Sequence, residues 1–85
     1  MKDIIIYSTD PCSFCARVKA LLRSRDLAFT EVNLTKDPEG RVELAERTGM
    51  MTFPQVVIGD DLVVGGYHET VAAVASGALD EHRAA

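Results

Sequence analysis

Both cysteines of this chain stand two residues apart, in Cys12-Ser13-Phe14-Cys15, shortly after the apolar run Ile4-Ile5-Ile6-Tyr7. That placement puts a thiol pair where a strand ends and a helix begins. A thiolate is the reactive form of cysteine, and a helix N-terminus favours negative charge through its unpaired N–H groups and its dipole. Cys12 falls at that end. Cys15 lies one turn further in, on the same side, where it can attack a mixed disulfide held on Cys12. The pattern predicts a redox dithiol. The competing reading, half of a zinc site, needs two further ligands. The other candidates are His68 and His82, which lack the usual spacing.

Length and composition narrow the setting. At 85 residues the chain is expected to form one domain, residues 1–85, of the size where a single core becomes viable. Its hydrophobic content of 47% is too high for disorder. A lone close cysteine pair is no disulfide framework, and a catalytic pair in a reducing compartment fits better. Met1-Lys2-Asp3 and the short β-branched run after it do not read as a signal peptide, and no stretch approaches transmembrane length. Cytoplasmic localisation is expected, with no membrane partner. The net charge of −4, without a broad basic stripe, argues against nucleic acid. Arg17, Lys19, Arg23 and Arg25 make the first helix locally basic. A solvated helix face accounts for them. The functional alternative is that Arg17 or Lys19 favours the Cys12 thiolate or an anionic substrate.

Taken in order, Asp3 to Ser8 reads as a first strand, its consecutive isoleucines suiting burial on both faces. Thr9-Asp10-Pro11 is a turn, with Asp10 or Thr9 as candidate helix cap and Pro11 near the first helical position. A helix is predicted from Ser13 to Arg25. Phe14, Val18, Leu21 and Leu22 form its inward stripe. Cys15 continues that stripe and is expected to be the more buried thiol. Phe29 to Leu34 reads as a second strand. Asp37-Pro38 starts a second helix running to Thr48, with Val42, Leu44 and Ala45 inward and Gly49 as its stop. Pro54 to Ile58 and Leu62 to Val64, around Gly59-Asp60-Asp61, read as a hairpin. A last helix begins near Tyr67 or His68, with Val71, Ala72, Val74 and Ala75 inward, and stops at Gly77. Leu79 is expected to pack back, and Asp80 to Ala85 to fray. The order, βαβ then α-ββα, predicts an α/β fold. Its four-stranded mixed sheet is flanked by three helices, with the site at the C-terminal end of the first strand.

Three separated motifs carry a resemblance over nearly the whole chain. They are Cys12-Ser13-Phe14-Cys15, Thr52-Phe53-Pro54-Gln55, and Gly65-Gly66 before the last helix. At these spacings the chain resembles a glutaredoxin of the small bacterial dithiol type. The resemblance implies a thioredoxin-like fold and a cis peptide at Phe53-Pro54. It also implies that Phe53, where valine is more usual, offers its backbone to the substrate like an added strand. It implies an enzyme, a thiol–disulfide oxidoreductase that uses glutathione as co-substrate. Cys12 and Cys15 would be its catalytic dithiol. Disulfide-containing or glutathionylated proteins would be its substrates, and the protein is expected to be a monomer.

The residues implied for glutathione are Arg41, Thr52, Phe53, Pro54, Gly66, Tyr67, His68 and Glu69. The departures from the family lie here. The lysine usual before the first cysteine is missing from Ser8-Thr9-Asp10-Pro11. The two aspartates usual at the start of the last helix are His68 and Glu69, so the partner for the γ-glutamyl amine is lost unless Glu69 reaches. Two alternatives stand beside the leading one. The first is an electron donor to ribonucleotide reductase or a similar enzyme, reduced by thioredoxin reductase. The second is a carrier of a glutathione-ligated [2Fe–2S] cluster, which Ser13 permits and which is not favoured. No protein metal site is expected.

Overall fold

The computed structural model describes residues 3–59 and 62–83. The predicted turn residues Asp60 and Asp61, and Ala84 and Ala85 of the predicted tail, lie outside the described residues. The elements are β1 (Ile4–Ser8), α1 (Ser13–Ser24), β2 (Phe29–Asn33), α2 (Pro38–Thr48), β3 (Gln55–Ile58), β4 (Leu62–Gly65) and α3 (Tyr67–Ser76). A 3-10 turn at Asp80–His82 follows. The sheet order is β2-β1-β3-β4. β1 pairs parallel with β2 and antiparallel with β3, and β3 pairs antiparallel with β4. This is the expected thioredoxin-like mixed sheet with three helices.

The strands divide their residues between two faces. Ile4, Ile6, Val56 and Ile58 join Val18 and Leu22 of α1 and Val74 of α3 in one core, closed by Leu27 and Leu79. On the opposite face, the Gln55 side chain meets Thr48 at the end of α2. The helices therefore sit on both sides of the sheet, and β1 ends between them, at the loop that carries Cys12. Leu79 packs back as expected, at 1% exposure. Ile5 and Tyr7 are only half-buried, so one face of β1 is covered more fully than the other.

Several expected core positions turn outward. Phe14 is exposed, because at the first turn of α1 the stripe runs past the sheet edge and meets Tyr67 instead. Val42 is exposed: two residues from buried Leu44, it points to the opposite side of α2. In α3, Val71, Ala72 and Ala75 are exposed, and the buried pair is Thr70 and Val74, four apart. Thr70 is buried because its hydroxyl donates to the Gly66 carbonyl at 2.8 Å, inside its own helix. Neither Thr9 nor Asp10 caps α1. Cys12 is the N-cap, Pro11 precedes the helix, and Asp10 instead accepts from Asn33 Nδ2 at 3.0 Å. Asp80 to Arg83 is no frayed tail. It forms the 3-10 turn and a bridge between Leu27 and Arg83, with the Ala28 N–H donating to the His82 carbonyl.

Ser8, the last residue of β1, is buried, and its hydroxyl donates to Glu31 Oε2 at 2.7 Å. Lys19 Nζ reaches the same oxygen at 2.9 Å. The Ser8 hydroxyl first, and Lys19 second, hold the Glu31 carboxyl below its ordinary value of 4.5. A carboxyl lowered in the folded state adds stability above its unfolded pKa and loses it as pH falls through the folded one. Glu31→Gln should therefore cost stability at pH 7, up to about 1 kcal/mol for a solvent-screened pair. The difference from wild type should shrink as pH is taken downward from 4.5. Urea unfolding midpoints of both proteins, measured across that range, check this. A difference independent of pH would show that the charge of Glu31 plays no part.

Candidate active site

Cys12 ends the loop from β1 and caps α1 with its own side chain. The Cys15 N–H donates to Cys12 Sγ at 3.1 Å, and the Cys12 carbonyl accepts from the Ala16 N–H. The first turn of α1 carries no acid. The two cysteines are joined as a disulfide, with Cα atoms 5.2 Å apart. Cys15 is the deeper thiol, at 3% exposure, while Cys12 is only half-buried. The arrangement offers one sulfur to solvent and holds the other behind it, which suits thiol–disulfide exchange.

The charges around Cys12 are largely committed elsewhere. Lys19 pairs with Glu31. Arg17 lies over the Phe14 ring, 5.2 Å from its centroid. Asp10, the one acid in the preceding loop, is held through its side chain by Asn33 and through its N–H by Thr35 Oγ1. Cys12 sits at the N-terminus of α1, and the Lys19 ammonium is paired with Glu31.

Beside the dithiol lies a cleft of about 200 Å³. It gathers seven of the residues named from the sequence: Thr52, Phe53, Pro54, Gly66, Tyr67, His68 and Glu69. Phe14 and Met50 complete it. The Phe53-Pro54 peptide is cis, as expected. The rings of Phe14, Tyr67 and His68 form a cluster with centroids 5.5 to 6.1 Å apart. Arg41 stands apart from this group, in an adjoining cleft that shares Met50 and Phe53 with the first. Its Nη1 donates to the carbonyls of Leu34 and Thr35. Glu69 does not reach into the cleft with both oxygens free: its Oε1 accepts from the Gly66 N–H at 2.8 Å and caps α3.

A glutaredoxin family model matches residues 4–63. The chain belongs to the glutaredoxin family. A glutaredoxin of Pseudomonas aeruginosa is 39% identical over 80 residues, covering 94% of each chain. Among solved structures, a glutaredoxin from Brucella melitensis is 43% identical with a TM-score of 0.78, over 95% of this chain and 87% of that one. A buckwheat glutaredoxin–glutathione complex is 25% identical with a TM-score of 0.81, over 95% and 76%. As a glutaredoxin, the chain is a thiol–disulfide oxidoreductase with a redox-active cysteine pair.

Met50 lines this glutaredoxin site with no mark in the sequence, and Phe14, part of the apolar stripe of α1, lines the cleft rather than the core. Gln55, in the sequence only a member of the Thr52-Phe53-Pro54-Gln55 motif, is buried at 1% exposure with a polar partner at each end of its carboxamide. The available signal was a single polar residue inside the apolar run Pro54 to Ile58. Such a residue stays in a core only with its polar atoms paired.

The start of α3 depends on Gly65. Its φ is +125°, a conformation that side chains disfavour, and an added Cβ would lie 2.8 Å from Glu69 Cβ and Cγ. Gly65→Ala should destabilise the protein by about 1–3 kcal/mol through backbone strain and displacement of the Glu69 cap. Urea unfolding measures it. Wild-type stability in Gly65→Ala would mean that α3 starts without this constraint.

Proposed function

We propose that the protein reduces protein disulfides and glutathione-mixed disulfides with glutathione as its reductant. One observation carries this reading: the N-cap sulfur of Cys12 is partly exposed and accepts from the Cys15 N–H, beside a cleft that runs to the cis Phe53-Pro54 peptide. The relative crystallised with glutathione supports glutathione as the ligand class. In this scheme the Cys12 thiolate attacks one sulfur of the substrate disulfide, and the other sulfur leaves as a thiolate. The Cys15 thiolate then attacks Cys12, releasing the second substrate thiol and leaving the Cys12–Cys15 disulfide. One glutathione opens that disulfide as a mixed disulfide on Cys12. A second attacks the glutathionyl sulfur, giving oxidised glutathione and the dithiol. A glutathione-mixed disulfide needs only Cys12, since the glutathionyl group passes from Cys12 to the second glutathione. We place the protein in the cytoplasm, as a monomer acting on disulfide-containing or glutathionylated proteins.

A second reading, a dithiol donor reduced by thioredoxin reductase, is favoured by one finding. Arg41 and Glu69, the charged side chains assigned to glutathione, are both engaged within the protein. The [2Fe–2S] alternative keeps only Ser13 as support. A coupled assay with glutathione and glutathione reductase, run beside one with thioredoxin reductase, separates the first two. Cys12→Ser should abolish turnover with either reductant. Cys15→Ser should keep reduction of glutathione-mixed disulfides and lose reduction of protein disulfides. If Cys15→Ser is inactive in both and Cys12→Ser in neither, the roles are reversed.

His68 is the exposed second residue of α3 and lines the cleft. With Glu69 Oε1 on the Gly66 N–H, the described lining leaves no wholly free carboxylate for the γ-glutamyl amine. An imidazole there carries no negative charge to offset an ammonium, and charge-assisted hydrogen bonds are about twice as strong as neutral ones. His68→Asp should lower the apparent KM for glutathione several-fold. Kinetics of wild type and His68→Asp check it. An unchanged KM means that this side chain takes no part in glutathione binding.

A further inference from the structure

The loop between α2 and the cis proline has little to hold it. None of the described hydrogen bonds involves Met51, Thr52 or Phe53, and Met51 is 85% exposed. Yet Met50 and Phe53 line both clefts, and Thr52 lines the one beside the dithiol. Something must fix this segment, because a wall made of unpaired backbone would sample many positions.

The fixture is a closed set of side-chain hydrogen bonds at the base of the loop. Gln55 is the first residue of β3, pinned on the backbone opposite Tyr7. Its carboxamide reaches back past Pro54. Nε2 donates to the Met50 carbonyl at 2.9 Å; Oε1 lies 2.8 Å from Thr48 Oγ1, and the single proton of that hydroxyl has a second acceptor in the Leu44 carbonyl at 3.0 Å. The same hydroxyl accepts from the Met50 N–H at 3.1 Å. The orientation of the amide follows from its partners: a carbonyl takes only a donor, so the nitrogen faces Met50. Gln55 is 1% exposed, so water does not replace these bonds. One buried amide thus ties the end of α2, the start of the loop and the start of β3 into a single rigid base.

We propose that Gln55 is a positioning residue for substrate binding. Its carboxamide, acting with the Thr48 hydroxyl, sets the wall formed by Met50, Thr52 and Phe53, and so sets affinity for the disulfide substrate. It takes no part in the chemistry at Cys12. This rests on the proposed glutathione-dependent reading, in which the substrate lies along that wall.

The test measures steady-state kinetics on a glutathionylated peptide, with glutathione and glutathione reductase. The thiolate titration of Cys12 and the melting temperature are recorded alongside. Gln55→Leu should raise the KM for the peptide several-fold, because the released wall must be ordered when substrate binds, with kcat and the Cys12 titration unchanged. Thr48→Val should follow Gln55→Leu, and Thr48→Ser, which keeps the hydroxyl, should match wild type. If Gln55→Leu does not fold, the Thr48 pair decides. Lower melting temperatures with a wild-type KM in Gln55→Leu and Thr48→Val overturn the proposal, and so does a shifted Cys12 titration. A wild type that fails to turn over with glutathione overturns the functional reading instead. The KM series is then read with dithiothreitol as reductant, and the same outcomes apply.

Discussion

The contact on which the rest depends is the hydrogen bond from the Cys15 N–H to Cys12 Sγ. It exists only while α1 starts at the end of the loop from β1, with Cys12 as its cap. That start is held from two directions. Below it, Cys15, Val18 and Leu22 are buried on one side of α1, and the last two belong to the core with Ile4, Ile6 and Val56. Above it, the loop is tied to the end of β2. The Leu34 N–H donates to the Ser8 carbonyl, the Asp10 N–H to Thr35 Oγ1, and Asn33 Nδ2 to the Asp10 carboxylate. Arg41 then braces Leu34 and Thr35 from α2. The nucleophile therefore rests on a chain of polar contacts that runs from the start of α2 to the start of α1.

That bracing explains why the site has few free charges. Lys19 neutralises Glu31, Arg41 holds carbonyls, and Glu69 caps its own helix. Arg41 and Glu69 each keep a piece of backbone in place, and Lys19 is spent on a side chain. What remains directed at the cleft is mostly aromatic: Phe14, Phe53, Tyr67 and His68.

The elements were legible because their signals are local. The proline and aspartate at the start of α2 and the glycine at its end set its limits, Pro38–Thr48 with Asp37 as cap and Gly49 in the left-handed region. The dithiol and its order of burial followed from the strand–helix junction and a stripe containing Cys15. The errors concern which face of a helix meets a neighbour. Val71 and Ala72 are apolar and point outward, whereas Thr70 is polar and points inward, because its hydroxyl is satisfied within the helix. Phe14 belongs to a stripe that ends before the helix does. Neither fact is visible in hydrophobicity, since both depend on where α3 crosses α1. The uses of Arg41, Lys19 and Asp10 were likewise hidden, because their partners lie far along the chain.

The buried polar residues show what packing alone leaves undecided. Among the described residues they are Ser8, Gln55 and Thr70. Ser8 holds the end of β1 just before the dithiol loop. Gln55 holds the loop just before the cis proline. Thr70 hydrogen-bonds to Gly66, the cap of α3. Each stands at the root of one of the three segments that border the site. A typical hydrogen bond adds only about 1 kcal/mol net, while leaving a buried partner unpaired costs about 1–3 kcal/mol. Such groups therefore contribute little to the stability of the correct arrangement and much to the cost of any other. An apolar contact tolerates a shift of a few tenths of an ångström with little loss, and a buried amide between two fixed partners does not. The hydrophobic core decides that this chain folds as a sheet between helices, and these three polar side chains decide where the dithiol, the cis proline and the start of α3 stand relative to one another.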